Sequence, residues 1–449
     1  GAPRLPPLLW LLGPALGAGR PRPPVAVEAR FKERITAKLQ ESLAAATGHL
    51  ARALLGAGDA HGAGEGAVGT FGRYELELAG EGRWRARCEA DIDERRDSVT
   101  LCVLHKLQAL TALCSVEAAA REHRAGILAL VRSLLGKRDK VVPGLGIKRS
   151  LLPVAQHLEG WFYETAPGSG EYDMNVAVQA AAMLTLVQCG KALGEKDLFS
   201  DIQLWFRTVE QVYPKKLWGK MTFHSSSILW ESFVLTSAAV HRDSSLAEDI
   251  GSFLGDFESY LQAAFTDDPK AWSFSGAHAA VLSWAGEKRP ARRKRLGRAV
   301  DEYLRRWREL APAINASEAY TCGPLQGVAP LLTRRGPDAA ELVSSVLRLA
   351  EKDVDLFQLR AGAGGAASPA TLRLGAELLA AQGPALEGAF LRDDGQLRRE
   401  GRRTLRIDDT AQCVLGLART LQLLDDLVGV EVPEATAGSP AADSPEGEL

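Results

Sequence analysis

Ala- and Leu-rich segments recur at a nearly constant interval, each opened by a small aromatic or polar cluster, and that interval constrains the fold more than any other feature of the chain. The clusters begin at residues 172, 224, 274 and 320, roughly 50 residues apart, which is room for two helices and their loops per repeat. Tyr172, Asp173 and Asn175 open a stretch that ends near Gly190, and Phe223 and His224 open one that ends near Val240. Trp272, Phe274 and Ser275 precede the segment ending near Gly286, and Tyr320, Thr321 and Gln326 introduce the next. The segments between them, residues 198–212, 246–264, 295–310 and 339–349, carry charge along one side, as solvent-facing helices do. Residues 371–382 and 410–424 continue the alternation.

The first part of the chain follows the same rule. Ile35, Leu39, Leu43 and Leu50 mark a helix over residues 31–54, which a Gly-rich stretch at 56–69 interrupts. Tyr74, Leu76 and Leu78 alternate ahead of Trp84, Arg85 and Arg87, so a small strand pair is expected within residues 70–90. Helical spacing resumes over 99–122 and 123–135, before a Gly/Pro-rich turn at 142–146. The expected fold is all-α: repeated hairpins of an apolar inner and an amphipathic outer helix. Such hairpins stack into an open solenoid or close into an α/α toroid. With no linker breaking the pattern, one toroidal domain over residues 25–430 is expected. Residues 1–24 form a leader. Residues 431–449, with five acidic side chains and no basic ones among Pro, Ala, Ser and Gly, read as a disordered acidic tail.

Charge and cysteine content narrow the partners and the compartment. Lys plus Arg is 54 against 56 for Asp plus Glu, a formal net charge of −2, so no global field draws the chain to nucleic acid. Nucleic acid is therefore not expected as a partner. Membrane association is expected to be peripheral at most, because nothing after the leader is an uninterrupted apolar run of about 18 residues. Leu8 to Leu12 follow Arg4 in a charge-free run that Arg20 ends, the outline of a secretion signal. Secretion or residence in the secretory lumen is expected, with an organellar or cytoplasmic location as the alternative. The acceptor triplet Asn315-Ala316-Ser317 fits that route. Six cysteines, at 88, 102, 114, 189, 322 and 413, lack CxxC spacing and read as core residues, with one bridge among Cys88, Cys102 and Cys114 open in an oxidising compartment.

In a toroid the inner-helix ends converge on one cavity, so the punctuating residues form a candidate rim. Trp161, Tyr163, Tyr172, Trp218, Trp272 and Gln326 are candidates for substrate contact, since planar aromatics stack on sugar rings and amides recognise hydroxyls. For a polysaccharide lyase, His224 or Tyr320 would move the proton while Asn175 stabilises charge beside a uronate carboxylate. For a glycoside hydrolase, Glu164, Glu231, Asp408 and Asp409 supply candidates for the carboxyl pair. Each of these residues also has a purely architectural reading, as a packing anchor or a helix cap.

Arg406-Ile407-Asp408-Asp409-Thr410-Ala411 enters the last apolar helix and resembles the acid motif of class II isoprenoid cyclases, with Arg406 where that family carries its first Asp. The resemblance implies α/α-barrel architecture, with Asp408 as the acid that starts carbocation cyclisation and Asp409 as its neighbour. At the level of fold alone, the chain also resembles the α/α-toroid carbohydrate-active enzymes, which implies hydrolysis or β-elimination of an oligosaccharide or polysaccharide. A glycan-active enzyme is the leading expectation; a cyclase and a noncatalytic glycan- or protein-binding scaffold are the alternatives.

Neither a metal nor a cofactor is expected. Eight histidines are scattered without HExxH, and no GxxxxGK[ST] phosphate cradle occurs. Asp91 and Asp93 fall in a charged run with Glu94, Arg95, Arg96 and Asp97 that reads as a solvated loop. Lys288, Arg289 and the run Arg292-Arg293-Lys294-Arg295 form a basic patch on an outer hairpin, read as a solvated face that could bind an anion.

Overall fold

The computed structural model describes residues 29–55, 73–77, 98–136, 146–147, 164–165, 171–173, 176–195, 198, 206, 223–239, 245–267, 279, 283–284, 289–316, 321–335, 340–360, 386–391 and 402–426. Eleven helices stand out among them. They are α1 (Ala29–Leu55), α2 (Ser98–Ser115), α3 (Glu117–Glu122), α4 (Arg124–Gly136), α5 (Val176–Leu193) and α6 (Phe223–Ala239), followed by α7 (Ser245–Asp267), α8 (Pro290–Ala316), α9 (Cys322–Arg335), α10 (Ala340–Phe357) and α11 (Ile407–Asp426). The all-α, helical-repeat organisation expected from the spacing is present.

Sequence decides which helices lie inside. α5, VAVQAAAMLTLVQCGKAL, is apolar on every side, and residues 180 to 190 are all buried. α2 and α6 have the same character. α7, α8 and α10 are two-faced, with buried positions at helical spacing and charge on the other side, so they belong outside. The contacts follow this division. The inner helices form a row, α9–α11–α2–α5–α6, in which neighbours pack on one another. α1 covers α2 and α11, α7 covers α6, and α10 covers α9. One continuous core joins them, from Ile35, Leu39 and Leu50 through Leu110 and Phe233 to Leu331 and Leu417.

The row is curved. Arg419 on α11 meets Glu231 on α6, Nη2 to Oε1 3.1 Å, although α2 and α5 intervene along the row. Helix axes 8–10 Å apart would hold α11 and α6 roughly 25–30 Å apart if the row were flat. The first and last parts of the chain also meet on the outside. Lys38 pairs with Glu351 at 3.2 Å and with Asp355 at 2.6 Å, and Ser42 and Gln358 exchange two hydrogen bonds of 2.8 Å. Gly388, at φ +86°, sits where a Cβ would strike the Ala45 carbonyl, so only glycine fits there.

Neighbouring inner helices are pinned to each other. Thr185 donates to the Leu107 carbonyl at 3.0 Å and lies 2.9 Å from Thr111, which ties α5 to α2. Ser232 donates to the Ala180 carbonyl at 2.7 Å, which ties α6 to α5. A Cβ on Gly416 would lie 2.7 Å from the Cys322 carbonyl oxygen, so glycine permits the close approach of α11 to α9. On the outside, buried Glu258 of α7 accepts from Trp230 Nε1 at 3.1 Å, Ser283 Oγ at 2.7 Å and Arg292 Nε at 2.8 Å, and so locks α6, α7 and α8 together.

Several sequence expectations need correction. Tyr172 does not open an inner helix: it is the middle of a strand, Glu171–Asp173, and the helix begins at Val176. The helix expected over 99–122 breaks at Val116, whose extended backbone separates α2 from α3. Strand β1 (Arg73–Glu77) does fall in the window expected for a strand pair, but its antiparallel partner is a distant strand, Arg402–Arg406, with Tyr74 opposite Leu405. A second small sheet joins Gly146–Ile147, Glu164–Thr165 and Glu171–Asp173. The leader, the tail and the helix expected at 371–382 lie outside the described residues.

The cysteines differ most. Cys114 bridges not Cys88 or Cys102 but Cys189, across α2 and α5, with Cα atoms 5.0 Å apart. Cys322 bridges Cys413 across α9 and α11, at 4.5 Å. Bridges between residues 75 and 91 positions apart restrict the unfolded chain strongly, each by roughly 4 kcal/mol on the loop-closure account. Replacing Cys114 and Cys189 together by Ser, or Cys322 and Cys413 together, should therefore lower stability by a few kcal/mol, read as a drop in the denaturant midpoint. Reducing agent opens both bridges, so it should lower the parent by more than either double replacement does, and should lower either double variant by only the contribution of its remaining bridge.

Candidate functional site

The described candidates converge on α11. Asp408, Gln412, Leu415 and Arg419 recur at i, i+4, i+7 and i+11, which places them on one side of the helix. Arg419 reaches Glu231 from that side, so the stripe looks across the curved row. Gln412, Leu415, Arg419 and Gln422 are the partly exposed positions in the otherwise buried run from Ile407 to Leu424.

At the head of the stripe, Asp408 lies in the first turn of α11, where helical N–H groups favour a carboxylate. His105 of α2 places Nε2 3.6 Å from Asp408 Oδ2, and both side chains are 3% exposed. Asp409 is buried beside it. Thr410 accepts a hydrogen bond at 3.0 Å from the Phe390 N–H, so this hydroxyl fastens a neighbouring segment to the head of α11. One turn along α2 from His105, Gln108 has a buried Oε1 with no hydrogen-bond partner among the described residues.

At the foot of the stripe, Arg419 donates Nη1 to the Gln326 carbonyl at 2.7 Å and Nη2 to Glu231 at 3.1 Å. Gln326 in turn donates Nε2 to the Gln412 carbonyl at 3.2 Å. Burial draws the Arg419 guanidinium below its ordinary pKa, while the charge of Glu231 and its hydrogen bond pull the other way. The head and foot are eleven residues apart, about 16 Å along the axis. Asp408 and the Arg419 that meets Glu231 thus lie about three turns apart on α11.

The remaining site candidates distribute as follows. Gln326, Glu231, Asp408 and Asp409 come together around α11. His224 is the second residue of α6, seven residues before Glu231, Tyr172 is in a strand and Glu164 opens another; their side chains lie outside the described residues. Trp161, Tyr163, Asn175, Trp218, Trp272 and Tyr320 lie outside them altogether. His105 and Arg419 belong to no motif and no spacing that marks a site, and their partners, Asp408 and Glu231, are far away in the chain, so only packing reveals the pairs.

Asp353 of α10 lies in the charged run Glu351-Lys352-Asp353-Val354-Asp355, which reads as a solvent face, so nothing in the sequence separates it from its charged neighbours. It is fully buried and accepts from the Thr321 N–H at 3.0 Å and the Thr321 hydroxyl at 2.7 Å, so it fixes the start of α9. Burial pushes its pKa up to about 7, against the opposing pull of the two Thr321 hydrogen bonds.

No helix among the described residues is long and apolar enough to cross a membrane, and no group of three or more His, Cys, Asp or Glu side chains among them is arranged to hold a metal ion. No protein-family model matches the chain, and neither a curated protein nor a solved structure shows significant similarity to it.

Two outcomes follow. Glu231→Gln leaves the buried Arg419 cation without its counter-charge and should cost about 3–5 kcal/mol, whereas adding Arg419→Met should recover part of that loss. Denaturant titrations of the two single variants and the double variant give the coupling. For Asp353, the folded state holds the proton more tightly than the unfolded state, whose carboxyl has an ordinary pKa near 3.8. The stability from this group is full below that value and is lost as pH rises toward about 7. Asp353→Asn keeps both Thr321 contacts and should match the parent near pH 4. Near pH 8 it should exceed the parent by roughly 2–4 kcal/mol.

Proposed function

We propose that the chain is a secreted enzyme whose curved row closes into an α/α toroid, and that it carries out acid–base chemistry on an oligosaccharide or polysaccharide. The observation that carries this reading is the Asp408–His105 pair at the head of the inner helix α11, with Asp409 alongside. A carboxyl and an imidazole 3.6 Å apart are the two kinds of group that general acid–base chemistry uses, and a substrate between or beside them would reach both.

The stripe below the pair favours a hydroxylated substrate. Gln412 offers an amide beside Gln326 and Arg419, whose donors hold one another and Glu231, so the stripe is polar apart from Leu415. Gln108 Oε1 is an acceptor that a ligand hydroxyl would satisfy, relieving a cost of about 1–3 kcal/mol. The two disulfides fit an oxidising compartment, in agreement with the signal-like leader. His224, Tyr320 and Asn175 remain candidates for the second proton-transfer group and the charge stabiliser. Trp161, Tyr163, Tyr172, Trp218 and Trp272 remain candidates for sugar stacking.

One observation favours the isoprenoid cyclase reading. Asp408 and Asp409 are among the most thoroughly buried polar residues, and a dry acid suits alkene protonation. The two readings separate in one assay. Purified protein is offered neutral and uronate oligosaccharides and linear isoprenoids, with reducing ends, unsaturated uronates and cyclised hydrocarbons followed separately. Glycan turnover should fall about 100- to 10,000-fold in Asp408→Asn without loss of the folded state, and His105→Gln should displace the pH profile. Cyclised hydrocarbon lost in Asp408→Asn would replace the glycan reading with the cyclase. Binding without turnover would leave a scaffold.

A further inference from the structure

The first half of α8 carries a concentration of positive charge that the site around α11 does not use. Arg293, Lys294, Arg295 and Arg298 are exposed, and none has a carboxylate partner among the described residues. No acidic residue occurs between Lys288 and Val300. The second half of the same helix is built differently: Arg305 pairs with Glu302 at 2.6 Å and with Glu309, and Arg306 pairs with Glu302 at 2.7 Å. Arg292, half-buried, is committed to Glu258. Like charges at i,i+4, such as Lys294 and Arg298, destabilise a helix by a few tenths of a kcal/mol per pair. One end of α8 has its charges neutralised within the helix, and the other keeps them open to solvent.

An aromatic face lies beside the open charges. The Arg293 guanidinium stands 6.0 Å from the centroid of the half-buried Trp284 ring. Gly297 leaves room for the indole: a Cβ there would lie 3.3 Å from Trp284 Nε1. The opposite face of α8, with Leu296, Val300, Tyr303, Leu304 and Trp307, is spent in the core and offers nothing to a bilayer. Inter-helix disulfides match a compartment in which the polyanions are carbohydrate rather than nucleic acid.

We propose that the stripe of Lys294, Arg295 and Arg298, which share one side of α8 while Arg293 stands off it beside Trp284, binds an anionic glycan, a sulfated or uronate-containing polysaccharide, with these cations pairing its acidic groups and Arg293 and the indole flanking them. The proposal shares the glycan class with the preceding reading and adds a docking surface away from the Asp408 site. A net charge of −2 gives the chain as a whole no attraction for polyanions, so binding must be local and lost with the stripe.

The test uses the full chain and three probes at physiological salt: a size-defined sulfated glycosaminoglycan oligosaccharide, a DNA duplex of equal charge, and anionic phospholipid vesicles. The parent should bind the glycosaminoglycan best, and affinity should fall as salt rises. The triple variant Lys294→Glu, Arg295→Glu, Arg298→Glu should lose at least 30-fold in affinity with an unchanged melting temperature, because these side chains are exposed. Asp408→Asn should bind as the parent does, whether or not it turns over any glycan, which separates this proposal from the enzyme reading. Undiminished binding by the triple variant, or a preference for the duplex or the vesicles, would overturn it.

Discussion

The burial of α11 is the constraint on which the rest of the structure depends. This helix is the last of the described helices in chain order, yet α9, α2 and α1 all pack on it, and a disulfide fastens it to α9. The inner row therefore cannot be completed without residues 407–426. Leu417, Leu421 and Leu424 give α11 its apolar faces, and each fully buried leucine contributes about 1.5–3 kcal/mol. The salt links between α1 and α10 do a different job. Half-exposed and screened, they add little energy but fix how the first helix lies against a late one.

Polar groups inside this core set arrangement more than they add stability. Arg419 and Glu231 satisfy each other across the curve, and Arg419 also takes up the Gln326 carbonyl. A buried ion pair of this kind gains little over well-packed apolar residues, but it penalises any packing that separates its members. Glu258, with three kinds of donor on its two oxygens, plays that part for the outer layer. Asp353 differs, because its two donors come from one residue and burial still lifts its pKa toward neutrality. The anchor at the start of α9 is thus the one whose strength is most tied to pH.

How much of this could be read in advance follows from the range of each interaction. Helix type and layer depend on local composition, so the all-apolar α5 and the two-faced α8 announce themselves, and their observed bounds differ from the expected ones by a few residues. Where local signals compete, the reading fails: Tyr172 suits a strand as well as a helix start, and pairing across to residue 147 and to residues 164–165 decides for the strand. Partners distant in sequence were not legible. Cys114 lay nearer in the chain to Cys102 than to Cys189, but α2 and α5 are neighbours in the row and their cysteines face each other. Asp408 could be singled out because it stands next to Asp409 in a recognisable string. His105 could not, since a histidine among leucines has no periodic signature.

The placement of Asp408 ties these levels together. A carboxyl in the first turn of a helix is favoured by the helix itself, so Asp408 and Asp409 need no function to explain their presence there. Their surroundings do call for more. A cap serves as well in water, where it costs no desolvation, whereas both of these carboxyls are sealed in the core and one is set against an imidazole from another helix. Next to them, Thr410 accepts the Phe390 N–H and so holds that segment at the head of α11. Desolvating two adjacent carboxyls and bracing them from two directions is a poor way to begin a helix. It does penalise any packing that fails to bring α2 and the segment at Phe390 onto the head of α11, as the Arg419–Glu231 pair does across the curve.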